Sequence, residues 1–260
     1  MAVIELKSER EIGLMRDAGR VVARTLSAVQ GASAVGVSLS ELDRVAQRTI
    51  RAAGGRPTFL HYHPSWAPTP YPAAICTSLN DVVIHGIPDR SRLCEGDLVS
   101  IDCAVHLHGF CADAAISYTV GRSNPEAEHL IELAAAALAA GIAAARPDGR
   151  LGDIAGAIEH LGRDAGCGIP RDFGGHGIGR QMHEDPSVAN IGQAGTGMRL
   201  KPGLVLALEP MFMAGGDDRC RVGADGWTIR TVDGSLAAHV EHTVAITASG
   251  PLVLTTLEES

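Results

Sequence analysis

The sequence predicts an α+β fold made of two similarly arranged halves around one shared site. Three observations lead there. The elements run helix, helix, strands and then helix, helix, strands, an order that suits helices packed on a mostly antiparallel sheet. The apolar run over residues 99–114 holds two carboxylates, Asp102 and Asp113, in what reads as two strands and a turn. The two most apolar C-terminal segments each carry an acid, Glu209 and Glu241, and charges are seldom buried without a partner. With no linker and no strong internal repeat, the expectation is one domain over 1–260, its approximate halves 1–122 and 123–260.

Each element has its own signal. Ser8-Glu-Arg-Glu11 has capping-box spacing ahead of Ile12, Met15, Gly19, Val22 and Leu26, which recur every three or four residues, with Gly31 as the stop. Ser38 and Glu41 open a second helix that runs to Gly54-Gly55. The five prolines over residues 56–72 forbid regular helix or central strand. That loop holds Phe59, Tyr62, Trp66 and Tyr71, four of nine aromatics, so it is either a binding element or a long loop anchored by its rings. Residues 73–78 and 81–85 read as short strands before Gly86-Ile-Pro88. Asn124-Pro125 places an N-cap and a first-turn proline ahead of an Ala-rich helix that ends by Pro147. Another helix spans about 151–165. The final third reads as strands at 174–179, 204–210, 226–230 and 239–247.

The central hairpin can be registered from its turn. His108-Gly109 holds the only glycine in the stretch, so the tight turn falls there. Asp113 then lies opposite Ala104 and is a diagonal neighbour of Asp102 on the same face, roughly 7–8 Å away at the backbone. Two like charges in a dry sheet are costly unless something positive lies between them, and a metal ion is the simplest candidate. Alone, the hairpin fits equally well with one Asp in a turn and the other solvated on an edge.

Composition removes several classes of function. A net charge of −8 with no Lys/Arg cluster argues against nucleic acid as the partner. The six cysteines have no C-x-x-C and no zinc-finger spacing, so neither a structural zinc nor a dithiol site is expected. No secretory signal and no run of 18 uninterrupted apolar residues is present, so reduced thiols in a cytoplasm, with no membrane span, are the expectation. His183-Glu184 lacks the second histidine of H-E-x-x-H, and neither a P-loop nor a G-x-S-x-G elbow occurs.

His176 stands out because glycines flank it in Gly174-Gly-His-Gly-Ile-Gly and let a ligand approach closely. With Asp102, Asp113, Glu209 and Glu241 it makes four carboxylates plus one imidazole. That hard, oxygen-rich set suits Mn, Fe or Co better than a thiolate zinc site. Carboxylates can bridge, so five such ligands can hold two divalent ions about 3.5–4 Å apart.

The chain resembles the type I methionine aminopeptidases, in their bacterial-style short form, which have the pita-bread (creatinase/aminopeptidase) fold. The matching stretches are Ile75-Cys-Thr-Ser-Leu-Asn-Asp-Val-Val-Ile-His-Gly-Ile-Pro88, Gly96-Asp-Leu-Val-Ser-Ile-Asp102 and Gly174-Gly-His-Gly-Ile-Gly-Arg-Gln-Met-His-Glu-Asp-Pro186. Leu208-Glu-Pro-Met211, Asp225-Gly-Trp-Thr228 and Glu241-His-Thr243 complete the set. The resemblance implies two pseudo-symmetric halves around one dinuclear metal site. By the same resemblance Asp102 would chelate one ion, Asp113 and Glu241 would bridge both, and His176 and Glu209 would complete the other, with Glu209 also the candidate proton shuttle. It implies that His85 and His183 contact the substrate near the scissile peptide, and that Tyr62, Tyr71, Cys76 and Trp227 line a methionine pocket.

Two departures from the family are visible. Met182 stands where an aromatic is common, and the loop from Tyr62 to Tyr71 is longer than Tyr-His-Gly-Tyr-Pro, adding His63, Trp66 and three prolines. The 32 residues between Glu209 and Glu241 leave no room for the helical insertion of type II enzymes, and the start near the first helix implies no zinc-finger extension. The implied activity is removal of initiator methionine before a small second residue, on nascent polypeptide N-termini near the ribosome. It would be carried out by a cytoplasmic monomer with two divalent ions and no specific nucleic acid or membrane contact. The rival readings are an X-Pro-type aminopeptidase and a non-catalytic pita-bread module that binds a protein.

Overall fold

The structure is a computed structural model and describes residues 4–257. The first two helices are α1 (Glu9–Ala32) and α2 (Leu39–Ala52). Both start as expected: the Ser8 amide donates to Glu11 Oε2 at 2.9 Å, and the Ser38 amide to Glu41 Oε2 at 2.8 Å. Helix α1 runs one residue past Gly31, the expected stop, because glycine costs a helix only about 1 kcal/mol and the neighbouring turns pack.

Then come β1 (Arg56–Pro57), β2 (Cys76–Leu79), β3 (Val82–Ile84), β4 (Leu98–Leu107) and β5 (Phe110–Thr119). Strand β2 starts later than expected because the amides of Ala74 and Ile75 donate to the buried Asp43 Oδ1, at 2.8 and 3.3 Å, instead of to a strand. Helix α3 (Pro125–Ala144) is capped by the Asn124 side chain, which accepts from Ala127 N, and α4 (Leu151–Asp164) follows. The last third holds β6 (Gly174–Gly177), β7 (Glu184–Ala189), β8 (Val205–Leu208), β9 (Met211–Met213) and β10 (Cys220–Val222). It ends with β11 (Ile229–Thr231), β12 (Ala237–His239), β13 (Glu241–Thr247) and β14 (Gly250–Val253). Strands β1, β7, β9, β10 and β14, and β12 before His239, were not anticipated: β1 and β7 carry Pro57 and Pro186, and β9, β10 and β12 have only three residues each.

The main sheet is curled and mostly antiparallel, in the order β1-β4-β5-β13-β8-β6-β7, with β2 also on β4 and β14 also on β13. The turn at His108-Gly109 is where the hairpin reading put it, both residues having positive φ (52° and 85°), and Asp113 lies opposite Ala104. Helices α1 and α2 cover the sheet through Val22, Leu26, Leu42 and Ile50 against Ile75 and Ile101. Helices α3 and α4 cover it through Leu130, Leu138, Ile154 and Ile158 against Leu206, Leu208 and Phe212. By length and composition α3 alone among the described helices matches a membrane span, yet Leu130, Ala134, Ala137 and Leu138 are buried in this core, and its first turn is acidic.

Candidate metal centre

Strand register collects the acids. Asp102 pairs with Ala115, and Ala115 pairs with Glu241, so one row across β4, β5 and β13 carries two carboxylates. Two residues along each strand, the next row holds Ala104 and Asp113, then Thr243, Ala207 and His176 across β13, β8 and β6. Thr243 joins Asp113 through its side chain, its Oγ1 accepting from Asp113 N (2.9 Å) and donating to Asp113 O (2.7 Å). Glu209 lies two residues beyond Ala207, just past β8. Residues two apart share a face, so all five side chains project from one side of one sheet.

The closest approaches agree. Donor atoms of Asp113, His176 and Glu241 lie within 4.8 Å of one another, and His176 Nε2 is 3.8 Å from Glu209 Oε1. Asp102 Oδ1, Asp113 Oδ1 and Glu241 Oε1 are buried and accept no hydrogen bond. Orphaned acceptors of this kind are costly, and a shared cation would satisfy all three. His176 is prepared as a ligand: its Nδ1–H donates to the Gly177 carbonyl at 2.9 Å, which leaves the Nε2 lone pair facing the acids. The glycines around it allow the approach, since a Cβ on Gly175 would fall 2.1 Å from the Ala207 carbonyl oxygen.

Burial dominates the electrostatics. Desolvation and the neighbouring carboxylates push Asp102, Glu209 and Glu241 well above the usual carboxylate range. Desolvation raises Asp113 to about 7, against hydrogen bonds from Asp102 and Ala114 that lower it. Burial also holds the imidazoles neutral, with His176 lowered to about 3 and His85 to about 4. Four carboxylates in one dry cavity resist ionisation together, and a bound cation would relieve that.

All eleven residues expected in the site line one cavity of about 500 Å³. His85 has φ 59°, a left-handed conformation that turns its ring out of the end of β3; such strain is retained where surrounding structure enforces it. His183 Nδ1 is 2.8 Å from the Tyr62 hydroxyl, and its ring centroid is 4.3 Å from that of His176. Tyr71, Cys76 and Trp227 are buried in the apolar wall, with the Tyr71 hydroxyl donating to the Gly86 carbonyl at 2.8 Å. Met182 and Phe59 belong to the same wall.

Sequence reasoning missed His239. It is 2% exposed, and its unpartnered Nε2 lies 3.6 Å from Glu209 Oε2 and 3.9 Å from Glu241 Oε2. Its amide is clamped by the hydroxyls of Ser100 and Ser117, at 3.3 and 3.2 Å. The signal was the spacing His239-Val-Glu241, which puts imidazole and acid on one face of an extended chain.

A fold with this cavity over this cluster of acids defines a class. The metallopeptidase family M24 model matches residues 13–248, and the chain belongs to that family of metal-dependent hydrolases. Within it the chain is similar to methionine aminopeptidase 1 of Mycobacterium tuberculosis, 47% identical over 260 residues (97% of this chain, 95% of the relative). It is 44% identical to the methionine aminopeptidase of Clostridium perfringens over 256 residues (98% and 100%). The crystal structure of the Thermotoga maritima methionine aminopeptidase superposes with a TM-score of 0.93 at 36% identity, covering 98% of this chain and all of that one. The Pyrococcus furiosus prolidase shares the fold, with a TM-score of 0.76 at 20% identity over 98% of this chain and 66% of that one.

Proposed function

We propose that the chain removes the initiator methionine from polypeptides whose second residue is small. The single observation that carries this reading is the convergence of Asp102, Asp113, His176, Glu209 and Glu241 on one face beneath an apolar pocket. Asp102 would hold one divalent ion, His176 and Glu209 the other, and Asp113 and Glu241 would bridge both; Mn, Fe and Co suit these donors. When bound, the ions supply a water that is nucleophilic at neutral pH.

The protein's own groups do the rest. Phe59, Tyr71, Cys76, Met182 and Trp227 take the flexible thioether side chain by apolar and S–aromatic contact. Glu209, which lines the cavity, passes a proton to the departing amine. His183, fixed by the Tyr62 hydroxyl, faces the carbonyl of the scissile peptide and stabilises the charge that develops there. His85, turned into the cavity from the end of β3, hydrogen-bonds the same peptide from the other side. The same reading makes the protein a cytoplasmic monomer acting on nascent N-termini near the ribosome.

Metal-loaded protein is expected to release methionine from Met-Ala-Ser and to leave Met-Lys-Ser and Ala-Pro peptides intact. Equal turnover of the two methionyl peptides, or turnover of none, counts against this function; cleavage of Ala-Pro alone points to the X-Pro class.

A further inference from the structure

The loop from Tyr62 to Tyr71 is built as a rigid element. Its base is closed by backbone pairing, His61 N to Tyr71 O and Tyr71 N to Tyr62 O, both 2.8 Å. Inside it, Ala67 N donates to Pro64 O at 3.1 Å, and His63 Nε2 donates to Ala67 O at 3.1 Å. Its far side is pinned to the turn before Trp227: the Trp227 indole N–H donates to Thr69 O at 3.0 Å, and Pro68 sits where a Cβ on Gly226 would be only 2.4 Å away. Three prolines reduce the freedom it would have unfolded. Ala67 is buried by this arrangement, while Trp66 is left 57% exposed.

Trp66 is held at the rim of the cavity. Its ring is edge-on to Trp227, with centroids 4.9 Å apart, and lies 19° from parallel to His85 at 6.2 Å. His85 in turn stands 6.3 Å from Phe173 on the opposite wall. A fixed loop that leaves an indole uncovered beside a binding cavity forgoes apolar burial, unless a ligand supplies it. An extended peptide supplies it in a definite register. Side chains two apart point the same way and lie about 6.6 Å from each other along the strand. If the first side chain enters the pocket walled by Trp227, the third projects to the same side, further out, where Trp66 adjoins Trp227.

We infer that Trp66 is a specificity-determining residue: it receives the side chain of the third substrate residue and favours an apolar or aromatic one there. This rests on the aminopeptidase reading above. The test compares release of methionine from Met-Ala-Phe and Met-Ala-Gly by metal-loaded wild type, Trp66→Ala and Trp66→Phe. The wild type is expected to prefer Met-Ala-Phe by about 5- to 10-fold in kcat/KM, mostly through KM, as one aromatic contact provides. In Trp66→Ala the ratio falls to about 1, and Trp66→Phe restores most of it.

A wild-type ratio near 1, or a Trp66→Ala ratio equal to the wild type's, overturns the assignment but leaves the aminopeptidase function standing. Failure of the wild type to release methionine from either peptide overturns both. Fluorescence provides a reading that does not depend on turnover, because Trp66 and Trp227 are the only indoles. In metal-loaded His183→Ala protein, which keeps its metal and turns over slowly, Met-Ala-Phe should shift the emission to the blue relative to Met-Ala-Gly, and Trp66→Phe in the same background should abolish the difference. Identical responses to the two peptides overturn the assignment even if Trp66→Ala does not fold.

Discussion

Asp113 and His183 line the same cavity but are held by different forces, and their substitutions should separate. Asp113 is 3% exposed with an orphaned Oδ1, between strands that also carry Asp102 and Glu241. Asp113→Ala should therefore lose both bound metal and activity, which elemental analysis beside the peptide assay will show; full occupancy by two ions would refute its bridging role. His183 is tied to Tyr62 and faces the cavity, so His183→Ala should keep its metal and lose rate on the order of 10²-fold. A variant without metal would make His183 a ligand or a prop. At this scale the acids were legible because ionisable residues in apolar strands violate the ordinary pattern. His239 escaped notice because an imidazole at a strand end is unremarkable until its Nε2 is seen facing two carboxylates.

Among the elements, β6 shows how little tolerance the site has. Gly175 pairs with Val188 of β7 and precedes His176, which pairs with Ala207 of β8, and the Ala207 carbonyl occupies the space of a β-carbon. Gly175→Ala should push β6 away from β8 and carry His176 with it. Thermal unfolding should report a loss of at least about 2 kcal/mol, as expected of a backbone clash in a core strand. Metal content should fall with it, while unchanged stability and occupancy would mean that the strands adjust freely. The hairpin of β4 and β5 was readable in register because one glycine turn and two acids leave few pairings. Strands β7, β9, β10 and β14 were not, since they are defined by the partners they meet more than by local pattern.

For the whole molecule, the cluster of acids links metal, proton and stability. Above about pH 7.5, a unit past the ordinary histidine pKa, histidines of the unfolded chain are nearly all neutral, and those of the folded site are held neutral by burial. Asp102, Glu209 and Glu241, pushed well above the carboxylate range by burial and by neighbouring carboxylates, still retain protons there that unfolded carboxylates have lost. Since the folded state then binds more protons, the stability of metal-free protein should decline as pH rises from 7.5 to 8.5. Divalent cations displace those protons, so the rise in Tm on adding Mn²⁺ should be larger at pH 7.5 than at pH 5.5. Calorimetry of metal-free protein at pH 7.5 and 8.5, and with and without Mn²⁺ at pH 5.5 and 7.5, checks both signs, and an equal or reversed metal effect would show that the acids are not the binding groups.

The sequence by itself determined the helix starts, the turn and register of the central hairpin, and the identities of the five ligand candidates. Each of these follows from chemistry within a few residues: a capping carboxylate, a glycine turn, a charge in an apolar strand. Only the tertiary structure decided that Glu209 meets His239, that Tyr62 reaches His183 from the long loop, and that Trp66 is left uncovered beside His85. Those meetings depend on which strands become neighbours and where a proline-rich loop is pinned. Such contacts join residues far apart in the chain, and local sequence pattern carries no record of them.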